Sequence, residues 1–320
     1  MVEGLILPQQ AKPALPGYSP ASHLTTVASW ECGRRGSRDV PVNTKSDGFR
    51  GDAGRQPGCH ASPMAELDGR PVTVDELQAL ALTNYGSFTS LRVDDGRVRG
   101  LALHLERLTR DSRILFGVDL DQEHIRSLVR RVAPRVGAAT IRVTVFDPET
   151  DLGHPSRADN PRILVTQRSA GVLPLPPLSV QSTVYRREVP HVKSVGLFAS
   201  LHHRRTAQLY GFDDALFVDE DGVISEGVTW NIGFYDGNRI IWPTAASLPG
   251  ITMLLLQDAY QHIDIPVTLS GLSTMQAAFA TNAAIGVRAI ARIDNTELAG
   301  DHPILDILRT EYLDIPGEQI

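Results

Sequence analysis

The chain has 320 residues, 42% of them hydrophobic and 21% charged, with a formal net charge of −6. These values exclude a disordered, collagenous or coiled-coil chain as a whole and argue against a broad basic nucleic-acid footprint. No apolar run approaches the ~20 residues of a membrane span, and the two cysteines, Cys32 and Cys59, leave the body of the chain without a disulfide framework.

In chain order, residues 1–63 string together proline and glycine without a period of 2 or 3.6, so they read as a disordered or non-native extension. Leu5-Ile6-Leu7, cut off by Pro8, is too short for a secretory signal, so a cytoplasmic protein starting at Met64 is expected. From Leu82 to Val93 the residues read as a strand, turning at Asp94-Asp95-Gly96. Leu101, Leu105, Leu108 and Leu115 at helical spacing, followed by Gly117, predict an amphipathic helix, and Gln122–Val136 a second. Ala139–Phe146 and Arg162–Gln167 read as strands, and the proline-rich stretch 170–179 as a connector.

The second half repeats the mixture. A strand over Val180–Tyr185, a helix over Leu197–Tyr210, two hairpins between Asp214 and Trp242, a helix from Gly250 to about His262, and strands Ala277–Ala280 and Val287–Ile293 are expected. Strands and helices interleave without a strict βαβ beat, so the fold class is α+β in two lobes. The expected division is 1–63, a small lobe over 64–172 and a larger lobe with mixed sheets over 173–320.

The basic residues are unevenly chosen. From residue 64 onward there are 23 arginines and one lysine, Lys193. Arginine replaces lysine for charge and phosphate binding, but a guanidinium cannot serve as a free amine nucleophile. A lone surviving lysine is either compositional drift or an amine the chemistry requires. The glycine patterns of dinucleotide and phosphate loops and the G-x-S-x-G elbow are absent. Adjacent His202 and His203 point about 100° apart on a helix, so no metal site is expected there.

Three further features stand beside Lys193. Glu226 follows a hairpin strand in SEGVTWNIGF, where a carboxylate is either a solvated tip or a site group. Leu248-Pro249-Gly250-Ile251-Thr252 opens a helix, either an ordinary start or a phosphate seat of amides and a hydroxyl. Arg107, mid-helix in LHLERL, either snorkels or reaches a phosphate. Pyridoxal 5'-phosphate explains all four jointly. It needs an amine for a Schiff base, an acid at its ring nitrogen, and a cup of arginine, threonine and helix-end amides for its phosphate.

The order arginine, lysine, glutamate, Gly-Ile-Thr resembles the class IV aminotransferases, the fold-type IV pyridoxal enzymes. These include branched-chain and D-amino acid aminotransferases and aminodeoxychorismate lyase. The resemblance runs over about residues 64–300, through YGSFTSLRVDDG, HLERL, VKSVGLFASL, EGVTWNI, LPGIT and the TNAA turn at 281–284. It implies that Lys193 forms the Schiff base and shuttles the proton. It further implies that Glu226 meets the ring nitrogen and that Arg107, Ile251, Thr252 and Asn282 hold the phosphate. Phe88 is expected either to wall the substrate pocket or to belong to the core.

The implied activity is transfer of an amino group between an amino acid or amine and a 2-oxo acid, by a homodimer. An aminodeoxychorismate-type lyase releasing pyruvate, towards which Asn282 leans, and a non-catalytic relative are the alternatives. Val228, Gly233, Trp242 and Met253 depart from the family pattern.

Overall fold

The computed structural model describes residues 65–320. The expectations for residues 1–63, for a start at Met64 and for both cysteines lie outside the described residues. β1 (Ala65–Leu67) and β2 (Arg70–Pro71) form a hairpin, α1 (Val74–Thr83) follows, and β3 (Ser87–Asp94) turns into β4 (Arg97–Val98). Next come α2 (Leu101–Phe116), α3 (Gln122–Val132), β5 (Ala138–Phe146) and β6 (Arg162–Ser169). The second half runs β7 (Leu178–Val184), α4 (Phe198–Leu209), β8 (Asp214–Val218), β9 (Ile224–Gly227), β10 (Asn231–Tyr235) and β11 (Ile240–Pro243). Then follow α5 (Ile251–Ala259), β12 (His262–Ile265), β13 (Ala277–Asn282), β14 (Gly286–Ile293), β15 (Thr296–Glu297), α6 (Pro303–Asp314) and β16 (Glu318–Gln319).

The strands make two sheets, giving the expected mixed α+β plan. The first is antiparallel throughout, in the order β16-β4-β3-β5-β6-β1-β2. The second runs β12-β11-β10-β13-β14-β7-β8-β9, with parallel pairs at β11/β12, β14/β7 and β7/β8. The C-terminal strand β16 pairs with β4 in the first sheet. There the Glu318 carboxylate accepts the Ala102 N–H, capping a helix whose N-cap, Gly100, has no side chain to do so.

The pleat decides what each face of the first sheet touches. Leu91 and Val93 of β3 and Ile141, Val143 and Val145 of β5 pack under Leu101, Leu105 and Leu108 of α2 and Ile125 and Val129 of α3. The alternate residues point the other way. In the second sheet Ile232, Phe234, Ala278 and Ile290 bury one face, while Phe279, Val287 and Ala289 meet α5 and α6 on the other.

Three elements differ from the sequence expectation. Leu82 ends α1 rather than opening a strand, because Thr73 and Glu76 form a capping box that starts a helix at Val74, and left-handed Asn84 stops it. Helix α3 stops at Val132, since Ala133 precedes Pro134 and takes an extended conformation (φ −71°, ψ 139°). Helix α5 stops at Ala259, and His262–Ile265 instead pairs in parallel with β11.

Candidate active site

Lys193 lies in the loop between β7 and α4, yet the loop is pinned to the first sheet and its helix. The Phe88 N–H donates to the Lys193 carbonyl (2.9 Å), and the Val195 N–H to the Gly86 carbonyl (3.0 Å). Asp111, fully buried on α2, accepts the Lys193 backbone N–H at 3.0 Å and pairs with Arg110. Arg110 also donates to the His191 carbonyl. Two strand-like bonds and one buried carboxylate thus fix where the lysine stem begins. The amine ends 4.9 Å from the centre of the Phe88 ring. Burial pushes it down to about 7, helped by Arg107, Arg187 and Arg142 and opposed by Glu226.

A cavity of about 330 Å³ opens around this amine. Its wall includes Phe88, Arg107, Glu226, Ile251 and Asn282 of the expected residues. Thr252 is buried on the first turn of α5, but the wall there is made by Gly250 and Ile251. The Asn282 side chain orders its own turn: its Oδ1 accepts the Ala284 and Ile285 N–H groups, and its Nδ2 donates to the Thr229 carbonyl.

Glu226 is 3% exposed at the end of β9. Its Oε1 lies 2.8 Å from Arg187 Nε and its Oε2 accepts the Leu248 N–H at 3.4 Å. Burial pushes this carboxyl above its ordinary value, while Arg187, the Leu248 amide and Lys193 pull it down. The Arg187 Nε–H is not aimed at its neighbour, and so lacks an aligned partner. The turn that faces Glu226 is set by Asn231, whose Nδ2 donates to the Leu248 carbonyl at 2.7 Å. Gly250 sits against it: a Cβ there would fall 1.9 Å from Asn231 Oδ1.

On α2, Arg107 is 5% exposed. It donates to the Thr89 hydroxyl, which also meets His104 Nδ1 at 2.7 Å. Burial lowers the guanidinium to about 10, and its Nε has no partner among the described residues. His104 is pushed well below the ordinary imidazole value by burial and by Arg107 and Lys193, so it is neutral, and its Nε2 is likewise unpartnered. Arg107 and Ile251 also border a second, smaller cleft between α2 and the Pro249–Leu254 segment, which places the guanidinium beside the start of α5. Among the described residues no side chain caps that start, which leaves its amide groups free to bind an anion.

Arg142, Arg168, Arg187 and His104 also line the cavity, and sequence reasoning passed over all four. Arg142 lies on an expected strand and Arg168 just past one, but only the register of β5 and β6 shows that they share a face. Arg187 and His104 carry no comparable signal. The four departures from the family pattern are absent from this wall. Trp242 packs edge-on against Phe279 (centroids 5.3 Å), Met253 packs on the same cluster and Val228 is core. At Gly233 a Cβ would strike the Phe279 ring at 2.4 Å, so the ring's volume fills the place of a side chain.

Residues 86–293 match the family model described as "Amino-transferase class IV". The "Probable branched-chain-amino-acid aminotransferase" of Rickettsia bellii is 26% identical over 246 residues, covering 70% of this chain and 84% of that one. The branched-chain aminotransferase of Thermoproteus uzoniensis with norvaline superposes with a TM-score of 0.70 at 21% identity, over 79% of this chain and 94% of that one. The branched-chain amino acid aminotransferase of Escherichia coli gives 0.68 at 16%, over 81% and 96%. A further branched-chain amino acid aminotransferase, complexed with N-(5'-phosphopyridoxyl)-L-glutamate, gives 0.69 at 21%, over 79% and 93%. A family match over most of the described residues, on a chain whose lysine, carboxylate and uncapped helix start border one cavity, has one reading. This chain belongs to the class IV aminotransferases, a family of pyridoxal-phosphate enzymes.

Proposed function

We propose that Lys193 is the cofactor-linked and proton-shuttling residue of an aminotransferase acting between an amino acid and a 2-oxo acid. The observation that carries this is the shared cavity. One amine, one buried carboxylate, one nearly dehydrated guanidinium and an uncapped helix start border it together. The unpartnered Nε of Arg107 and the free amides of α5 fit a phosphate dianion, so the residues present suit the cofactor. Pyridoxal phosphate, when bound, supplies an aldehyde conjugated to an electron-accepting ring.

The chain's own residues do the rest. Arg107 and the Ile251 and Thr252 amides would hold the phosphate, and Asn282 would order the turn beside it. Glu226 would present its carboxylate to the ring nitrogen, with Arg187 keeping that carboxylate charged. Lys193 Nζ, with a value of about 7, is poised to accept and return a proton at the substrate Cα near neutral pH. Phe88 walls the amine's side of the pocket.

We further propose a cytoplasmic homodimer. Phe198, 83% exposed, Leu201 and Leu209 form an apolar stripe along α4 beside the cavity, suited to a second copy. No described helix is long and apolar enough to cross a membrane. Light scattering of the purified protein checks the dimer, and a monomer at micromolar concentration refutes it.

The decisive variants are Lys193→Ala and Lys193→Arg. Both are expected to lose the absorbance near ~410–420 nm that a lysine-linked cofactor gives, together with turnover. Turnover by either variant refutes the assignment. Pyruvate released without an oxo-acid acceptor identifies lyase chemistry instead.

A further inference from the structure

Helix α2 meets the start of β3 through three polar side chains sealed from water. Thr89 shares the helix-facing side of β3 with Leu91 and Val93 and is fully buried. From α2, His104 and Arg107, one turn apart, close on its hydroxyl. Arg107 donates to it, and His104 Nδ1 lies 2.7 Å from it. Valine has nearly the same shape, so what threonine adds at this place is the hydroxyl.

These contacts assign the proton on the imidazole. A guanidinium can only donate, so the Thr89 oxygen accepts from Arg107. The Thr89 O–H then needs an acceptor of its own, and among the described residues His104 Nδ1 is the one within hydrogen-bond distance. A proton on Nδ1 would leave that buried hydroxyl donor unmatched. Nδ1 therefore accepts, and a neutral ring that accepts at Nδ1 carries its proton on Nε2. The ring is neutral because burial, Arg107 and Lys193 all oppose a further cation there.

The result is a donor with nothing to donate to. His104 is 1% exposed, its Nε2 has no partner among the described residues, and it lines the cavity with Arg107 and Lys193. A buried N–H without an acceptor is costly, and the occupant of the cavity is the available source of one. Two features place that acceptor at the phosphate end. The shared Thr89 hydroxyl ties His104 to Arg107, which stands beside the start of α5. The Arg107 guanidinium and the α5 amides are likewise donors only, a set that suits a phosphate dianion.

We propose that His104 is a further phosphate-binding residue of this site, a neutral imidazole whose Nε2–H donates to an oxygen of the cofactor's phosphate beside Arg107. It supplies direction without adding charge. Thr89 is a positioning residue, one hydroxyl that orients the guanidinium and fixes the tautomer of the ring. The proposal rests on the pyridoxal-phosphate reading above and adds to it a relay from Arg107 through Thr89 to His104.

The test measures, by equilibrium dialysis, how the cofactor-free full chain binds pyridoxal phosphate and pyridoxal, which lacks the phosphate. H104F is expected to weaken pyridoxal phosphate about 10- to 100-fold, the worth of one hydrogen bond to a charged group, and pyridoxal by less than about threefold. H104Q, whose amide can place an N–H near the same point, is expected to recover part of that loss. T89V is expected to lose about tenfold for pyridoxal phosphate alone. The ratio of the two compounds within each variant separates a lost contact from a disturbed fold, which weakens both alike. Nitrogen NMR of the histidine-labelled, cofactor-free protein gives a readout without turnover. The His104 ring is expected in its Nε2–H form, with inorganic phosphate shifting its signal and T89V removing the tautomer preference. Equal losses of the two compounds across the three variants, an Nδ1–H ring in the wild type, or a ring signal indifferent to inorganic phosphate overturns the assignment. So does an unmoved ratio accompanied by a raised KM for the amino donor, which would set the donor against the substrate's carboxylate. Failure of the aminotransferase reading shows separately, as a wild-type protein without Lys193-dependent absorbance, and the ring signal still decides the role of His104 in that protein.

Discussion

On the first sheet the cavity wall is a pleat, and on the second it is a set of turns. β3, β5 and β6 present side chains at fixed two-residue intervals, so one wall position can change identity while its neighbours keep their places. The second sheet offers strand ends and turns: Glu226 near the end of β9, the Leu248–Gly250 approach to α5, and Asn282 at the end of β13. These positions hold one another. Asn231 fixes Leu248, Gly250 makes room for Asn231, and Asn282 ties its turn to Thr229. Under the proposed function, the second sheet's turns suit a constant cofactor and the first sheet's pleat a substrate.

The hardest test of this division is Gly250→Ala. The added methyl would sit 1.9 Å from Asn231 Oδ1, a buried atom that cannot swing away while its amide holds Leu248. The turn has to move, taking the start of α5 with it. We expect cofactor affinity to fall about 100-fold or more, by a loss of seat geometry rather than of any ligand atom. Equilibrium dialysis against pyridoxal phosphate measures this, and an affinity within threefold of wild type would show that the turn has slack.

Next in size is Asp111→Ala. This carboxylate crosses from the first sheet's helix to the lysine loop, so it joins the two kinds of wall. Its removal leaves the part-buried Lys193 N–H without an acceptor and deprives Arg110 of its partner. A loss of about 2–3 kcal/mol in urea denaturation is expected. Asp111→Asn, which keeps an acceptor oxygen, is expected to recover part of it. A cost below about 0.5 kcal/mol would mean that the two sheet-like bonds at Gly86 and Phe88 hold the loop unaided.

The same contrast explains what could be read in advance. Lys193, Glu226, Arg107 and the Leu248–Thr252 helix start stood out because each is a residue type with a chemical specialty at a recognisable boundary. Helix α2 was legible because its leucines recur at one spacing and Gly117 stops it. Helix α1 was missed although its capping box, Thr73 with Glu76, was in plain view; the aromatic and β-branched residues after Leu82 pulled the strand boundary forward. Arg142 and Arg168 look like surface residues until the register of β3, β5 and β6 shows which face they share, and register is a long-range property. Glu226 and Asn231 meet the Leu248–Gly250 turn across more than fifteen residues, so the 1.9 Å approach at Gly250 has no local signature.

The smallest effect, taken per pH unit, concerns the amine on which both walls converge. An ordinary lysine sits at 10.5, and burial beside Arg107, Arg187 and Arg142 lowers Lys193 to about 7. The folded chain therefore favours the neutral amine. As pH falls from about 10 towards 7 the unfolded chain takes up the proton first, and stability is lost across that window and changes no further below it. In cofactor-free protein this gives a stability that rises with pH between 7 and 10, by less than about 1.4 kcal/mol per unit, and Lys193→Met is expected to flatten it. Kinetics gives the sharper form. The neutral fraction of an amine at 7 grows about tenfold from pH 6 to pH 8 and then levels, so capture of pyridoxal phosphate by the cofactor-free protein should do the same. A rate still climbing tenfold per unit at pH 9 would place the amine in water, outside the influence of the three arginines, and the first sheet would then have no part in tuning the residue that the second sheet's cofactor seat requires.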